Sequence, residues 1–290
     1  MHGISLLRLI GLYAVSTLSR KYSQNLRLMF DLQLKAFSAV EKGNYESFVP
    51  VVSRDEFGLI AQHTNQMIGG LREKDRIERA FGKYMSPLVA DAVLHNEQET
   101  HLGGREVNVA ILFTDLRDFT PLSEKCTPQE VVEILNSYFT MVVDAVHKHG
   151  GVLDKFIGDA AMAVYGLDGN DGHEDAVHSA FEVLQGIESL NQNLTKRGLP
   201  NIKIGIGIHC GPVIAGNIGS EERLEYTVIG DAVNTAARLE SLTKELPSTL
   251  AISNDVCSVL SEEMMGKLVY LDDYDLKGKS EKIPVYGLKA

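Results

Sequence analysis

The chain lacks a basic excess, a disulfide framework and an apolar run long enough to cross a bilayer. Its 28 Lys and Arg stand against 39 Asp and Glu, a formal net charge of -11. Nucleic-acid surfaces are built from clustered cations, so nucleic acid is excluded as the expected partner. A nucleotide is not, because a few Lys and Arg gathered locally can hold phosphates on an acidic protein. Three cysteines, Cys126, Cys210 and Cys257, lie far apart and in no metal-ligand spacing. That fits structural thiols in a reducing cytoplasm better than a disulfide scaffold. Residues 4–18 are apolar except for Arg8, and Arg20 and Lys21 follow. A span needs about 20 apolar residues. Residues 1–19 are therefore either the cytoplasmic end of a transmembrane helix, with the Arg-Lys pair inside, or an amphipathic or buried helix.

What is present divides into two parts. With 290 residues, 44% of them hydrophobic, the chain can bury at least one full core. Residues 1 to about 100 carry no strand signal. Leu28, Leu32, Ala36 and Ala39 recur at helical spacing. Gly43 breaks that pattern, and NYESFVPVV with Pro50 reads as an extended connector. A second periodic run follows Asp55-Glu56, with Ile60, Thr64, Met67 and Leu71 at the spacing of a coiled-coil seam. A further helical stretch, IERAFGKYMSPLVADAVL, is interrupted before Pro87.

From Val107 onward apolar runs alternate with helical patterns. VAILFTDL, GVLDKFIG, AAMAVYG, NIKIGIGIHCG, GPVIAGNIG and EYTVIGD read as strands. Helices are expected over about 128–148 and 174–196 and in DAVNTAARLESL. Such alternation predicts a sheet covered by helices, with Gly150-Gly151 and Gly169 at turns.

Two carboxylates stand at strand ends: Asp115 closes VAILFT, and Asp159 follows LDKFIG. A carboxylate there is either a turn or helix cap, or a charge that something positive must meet. Asp118, three residues on, is expected as a cap or loop residue. Two such strand ends brought together would repel, and a pair of divalent ions relieves that repulsion. Further on, Asn234 and Arg238 at i and i+4 share one helix face, and Thr227 lies on the strand before them. Asn can donate and accept, and Arg offers a planar fork for phosphate oxygens. By pattern alone this group is equally a polar stripe on a surface helix.

The combination FTDLRDFT, KFIGDAAMAVYG, YTVIGDAVNTAARLE and LKGKSEKIPVYGL resembles the class III nucleotidyl cyclase family, over about residues 105–290. The resemblance implies an α+β fold, a ferredoxin-like, palm-type βαββαβ sheet core with covering helices, and active sites shared between two chains of a homodimer. It implies that Asp115 and Asp159 bind two divalent cations, Mg2+ or Mn2+. It gives Lys155 and Thr227 the purine edge, Asn234 the ribose, Arg238 the charge on the reacting phosphate, and Lys279, or else Lys277, the triphosphate. Lys155 points to ATP as substrate, since guanylyl cyclases typically carry Glu and Cys at the two purine positions. Thr227 departs from the Asp found in many members and resembles the bicarbonate-responsive subclass.

The segment around RDEFGLIAQHTNQM, over residues 20–73, resembles a HAMP signalling domain, the alternative being a plain dimerising coiled coil. Residues 74–104 would then be a helical transducer, and the catalytic part would lie at the cytoplasmic face of a membrane, behind an upstream sensor. The rival functions are a guanylyl cyclase on the same fold and a nucleotide-binding sensor without turnover. A diguanylate cyclase is excluded, because its Gly-Gly-acidic-acidic-Phe signature is absent.

Overall fold

The computed structural model describes residues 2–84, 103–220, 223–279 and 281–289. They fall into two compact units, Met1–Met85 and Ser86–Ala290.

In the first unit, helices α1 (His2–Glu41) and α2 (Glu56–Tyr84) flank an extended connector. Asp55 starts α2: its Oδ1 accepts from the backbone N–H groups of Phe57 at 3.1 Å and Gly58 at 3.3 Å, satisfying donors that a helix start leaves unpaired. Asn65 grips the connector twice, accepting from the Val49 N–H and donating to the Val49 carbonyl, both at 2.8 Å. The small core of this unit is Ala36, Val49, Ala61 and Ile68, with Thr64 also buried. In a single copy of the chain, the periodic residues Leu28, Ile60 and Met67 remain about half exposed, at 58%, 49% and 51%. Ala36 and Ala61 sit in the contact between the helices, while Leu28, Ile60 and Met67 face outward. Among the described residues, no helix is long and apolar enough to cross a membrane.

The second unit is built on one sheet. Its strands are β1 (Gly103–Leu116), β2 (Val152–Ile157), β3 (Ala160–Tyr165), β4 (Ile204–Ser220), β5 (Arg223–Ile229), β6 (Leu250–Ser253), β7 (Leu268–Tyr274) and β8 (Ile283–Leu288). They lie in the order β2-β3-β1-β4-β6-β8-β7, with β5 paired to β4. Among the first four strands every neighbouring pair is antiparallel. Helices α3 (Phe119–Lys125) and α4 (Pro128–Lys148) follow β1, and α5 (His173–Lys196) links β3 to β4. This is the expected ferredoxin-like βαββαβ core. Later come α6 (Asp231–Leu242), α7 (Asn254–Cys257) and α8 (Glu262–Met265).

β1 is buried on both faces. Ala110 and Leu112 pack with Ile134, Tyr138 and Val142 of α4 and with Val177 and Ala180 of α5. The alternate residues Val109, Ile111 and Phe113 pack with Ala232 and Ala236 of α6. The period-two alternation of a strand places successive side chains in these two layers. α4 begins with a capping box, in which the Thr127 hydroxyl accepts from the Glu130 N–H and the Glu130 carboxylate accepts from the Thr127 N–H.

NIKIGIGIHCG and GPVIAGNIG, read as separate strands, are one continuous strand, β4. Its pairing with β1 runs unbroken through Gly211 and Pro212. Pro212 is tolerated because β4 pairs on its other edge with β6 only at 206–208 and with β5 only from 214. A nitrogen facing that open edge has no ladder bond to give.

Candidate active site

The acidic pair is assembled by strand register. Thr114 lies opposite Ala161, so one step further along each strand sets Asp115 across from Ala160 and beside Asp159. Asp159 occupies the two-residue turn between β2 and β3. Gly158 supplies that turn with φ +65°, the positive value a tight hairpin demands at its first position. Burial is the main force lifting the Asp115 carboxyl to about 6, followed by the neighbouring Asp159 and by Glu240, while Lys244 opposes them. Two acidic side chains held this close resist being charged together, so a cation between them is the natural complement. Among the described residues no third His, Cys, Asp or Glu completes a metal-binding group. Two carboxylates would suit a cation such as Mg2+, which is held by one or two carboxylates and keeps several non-protein ligands.

Behind the pair lies a buried network that the sequence patterns did not reveal. The Arg117 guanidinium pairs with Glu240 at 2.9 Å, donates to the Glu240 carbonyl at 3.0 Å and contacts the Thr243 hydroxyl. It occupies the space that any side chain at Gly205 would need. Asp118, expected as a cap or loop residue, sits just before α3 with φ 55° and no side-chain capping bond.

A second cluster gathers Lys155 and Thr227, 72 positions apart in sequence. The Thr227 hydroxyl donates to Asp154 at 2.9 Å. The Lys155 ammonium lies 3.6 Å from the same carboxylate and 3.2 Å from Glu225. Asp154 has only 7% of its side chain exposed, and burial raises its carboxyl above the ordinary value against the pull of Thr227 and Lys155. Asp154 was not singled out from sequence, although it directly precedes Lys155.

The third cluster surrounds the start of α6. Lys279 pairs with Asp231 at 2.5 Å and thereby holds the Asp231 carboxyl below its usual range. Gly278 lies against Arg238: a Cβ built there would stand 3.4 and 3.5 Å from the two terminal guanidinium nitrogens. Among the described residues, Arg238 Nη1 is buried without a hydrogen-bond partner, a donor suited to an incoming oxygen. Asn234 is exposed on the same helix. Of the two candidate lysines, Lys279 adjoins this helix start, whereas Lys277 is solvent-exposed.

Helix α6 is tightly seated on β4. A Cβ at Gly207 would come 2.1 Å from the Glu240 nitrogen, so only glycine permits that approach. Lys279 and Asp231 stand at one end of the helix, and the charges acting on Asp115 come from Glu240 and Lys244 at the other. Eleven residues of helix separate the ends by about 16 Å. One chain thus holds the acidic pair and the Lys279–Asp231 pair about a helix length apart.

The model of the adenylate and guanylate cyclase catalytic domain matches residues 104–290. An uncharacterized protein of Mycobacterium tuberculosis is 36% identical over 250 residues, covering 86% of this chain and 42% of the relative. The chain therefore spans about two fifths of that relative's length. A bacterial light-regulated adenylyl cyclase superposes with a TM-score of 0.69 at 27% identity, over 82% of this chain and 66% of that one. The adenylyl cyclase CyaB from P. aeruginosa gives 0.57 at 28% identity, over 65% and 97%. The guanylyl cyclase Cya2 gives 0.57 at 31% identity, over 65% and 96%. A strand-end aspartate pair, a Lys–Thr cluster and a helix carrying Asn and Arg thus lie within the matched residues, and the chain belongs to the family of adenylate and guanylate cyclase catalytic domains.

Proposed function

We propose that the chain is an adenylyl cyclase, converting ATP to 3′,5′-cyclic AMP and pyrophosphate by in-line attack of the ribose 3′-hydroxyl on the α-phosphate. The observation that carries this reading is the convergence of Lys155 and Thr227 on one carboxylate, at 3.6 and 2.9 Å. A lysine donates to N1 of adenine, and a threonine hydroxyl accepts from the exocyclic amine. Guanine presents the reverse pattern at that edge.

The remaining roles follow from side-chain chemistry. Asn234 orients the ribose. Arg238 brings an unsatisfied donor to the non-bridging oxygens where charge develops. Lys279, set against Asp231 in this chain, exchanges that partner for the triphosphate. Asp115 and Asp159 would hold divalent cations, whose chemistry is to neutralise the triphosphate and lower the pKa of the 3′-hydroxyl. Positioning and charge complementarity then carry the acceleration without a covalent intermediate.

In this reading the sites are shared across a homodimer, Asp115 and Asp159 of one copy facing Lys155, Thr227, Asn234 and Arg238 of the other; the helix length between Lys279 and the residues that act on Asp115 supports it. Residues 20–73 serve as a HAMP-like helical bundle, and residues 74–104 carry its signal to the catalytic part. The half-exposed apolar residues Leu28, Ile60 and Met67 supply a surface for bundling with a second copy. Membrane attachment through residues 1–19 or an upstream sensor, and a bicarbonate response through Thr227, belong to the same reading.

The test is product identification. The protein is incubated with ATP or GTP and either Mg2+ or Mn2+, and the nucleotides are separated. Cyclic AMP with pyrophosphate is the expected outcome. Cyclic GTP-derived product in excess, or ATP binding with no pyrophosphate released, would overturn it.

A further inference from the structure

The purine-edge cluster contains a group that neither the sequence patterns nor the roles above assign. β2 and β3 fall out of step at one point: Leu153 pairs with Ala163, and Lys155 with Met162. Two steps on β2 thus match one on β3, which makes Asp154 the extra residue of a β-bulge. In a regular strand, neighbours point to opposite faces. A bulge re-aims a side chain, and here the Asp154 carboxylate and the Lys155 ammonium come within 3.6 Å of each other. Asp154 also reaches the Thr227 hydroxyl of β5 at 2.9 Å.

The consequence lies in hydrogen-bond bookkeeping. A free threonine hydroxyl has one proton and two lone pairs, and it can turn to donate or to accept. An ionised carboxylate only accepts. With its proton given to Asp154, Thr227 can offer the purine nothing but a lone pair. Adenine carries a donor at its 6-position, and guanine carries an acceptor there. A hydroxyl locked as acceptor therefore matches adenine and meets guanine lone pair to lone pair. The 7% exposure of Asp154 keeps water from competing for that proton.

The geometry points to Asp154 as the positioning residue that sets base selectivity, by fixing the Thr227 hydroxyl as an acceptor toward the purine. This rests on the reading in which Lys155 and Thr227 meet the base. It explains how a threonine, ambivalent by itself, serves where a carboxylate would be the unambiguous acceptor.

The experiment compares kcat/KM for ATP with kcat/KM for GTP in the full chain and in Asp154→Ala, Thr227→Val and the double variant. The ratio is internal to each preparation, so a partly unfolded sample leaves it unchanged. Thr227→Val and Asp154→Ala are each expected to lower the ATP:GTP ratio about tenfold, and the double variant to fall no further than Thr227→Val alone. Should the alanine variant not fold, Asp154→Asn carries the comparison. Its amide no longer dictates the hydroxyl's direction, and the ratio is expected to fall by about threefold or more. A ratio within twofold of the parent in the Asp154 variants, with Thr227→Val shifted, overturns the assignment. So does an Asp154→Ala effect that persists in full on the Thr227→Val background. A Thr227→Val ratio equal to the parent instead removes the underlying base reading.

Discussion

At Asp115, a functional demand opposes stability. Its carboxyl titrates near 6 because burial and Asp159 disfavour the charge. A carboxyl whose pKa rises on folding destabilises the native state once the unfolded chain ionises. The cost appears as pH climbs from about 4 to 6 and persists above that. Asp115→Asn should therefore raise the metal-free melting temperature at pH 7 to 8, by a few degrees. This corresponds to on the order of 1 kcal/mol after solvent screening. The advantage should vanish near pH 4, and nucleotide cyclisation should be lost at every pH. Thermal melts in EDTA across that pH range, beside an activity assay, read both effects. An unchanged melting temperature at pH 8 would mean that the two carboxylates do not repel as their placement requires.

At the scale of elements, packing devices decide where the functional groups stand. The β2–β3 turn brings Asp159 to β1, and Gly207 lets α6 lie close enough to β4 for Arg117 to bind Glu240. In the first unit the connector has little apolar burial of its own, and Asn65 holds it by two hydrogen bonds to Val49. Asn65→Ala should cost the unit about 1–3 kcal/mol by orphaning those backbone groups. Hydrogen exchange followed by mass spectrometry should show faster exchange in a peptide covering residues 46–52. Peptides from β4 should keep their protection. Equal exchange in both variants would place the hold on the connector elsewhere. Burial of Cys210 and Cys257 pushes both thiols up to about 12, which makes them unreactive packing groups.

At the scale of the molecule, the question is how the separated groups of one chain act on one nucleotide. If two copies share each site, mixing an Asp115→Ala chain with an Arg238→Ala chain should restore activity, since a mixed dimer keeps one intact site. Recovery of about a quarter of parental activity is expected from random pairing, with half the dimers mixed and one of two sites restored in each. Mixed dimers shown to form but inactive would count against sharing.

Much of this was legible in sequence because it depends on local order. Runs such as VAILFT and AAMAVY show strands by their apolar continuity, and the helix expected over about 128–148 is α4. The motifs around Asp115, Asp159, Asn234 and Arg238 point to the family by residue type and spacing. Other features arise only when distant segments meet. The bulge at Asp154, the pairing of Arg117 with Glu240, the contact of Lys279 with Asp231 and the fusion of two strand segments into β4 all depend on how distant segments pair and pack. Register is a property of paired strands, set by the turn and the packing on both sides, and no single stretch of chain contains it.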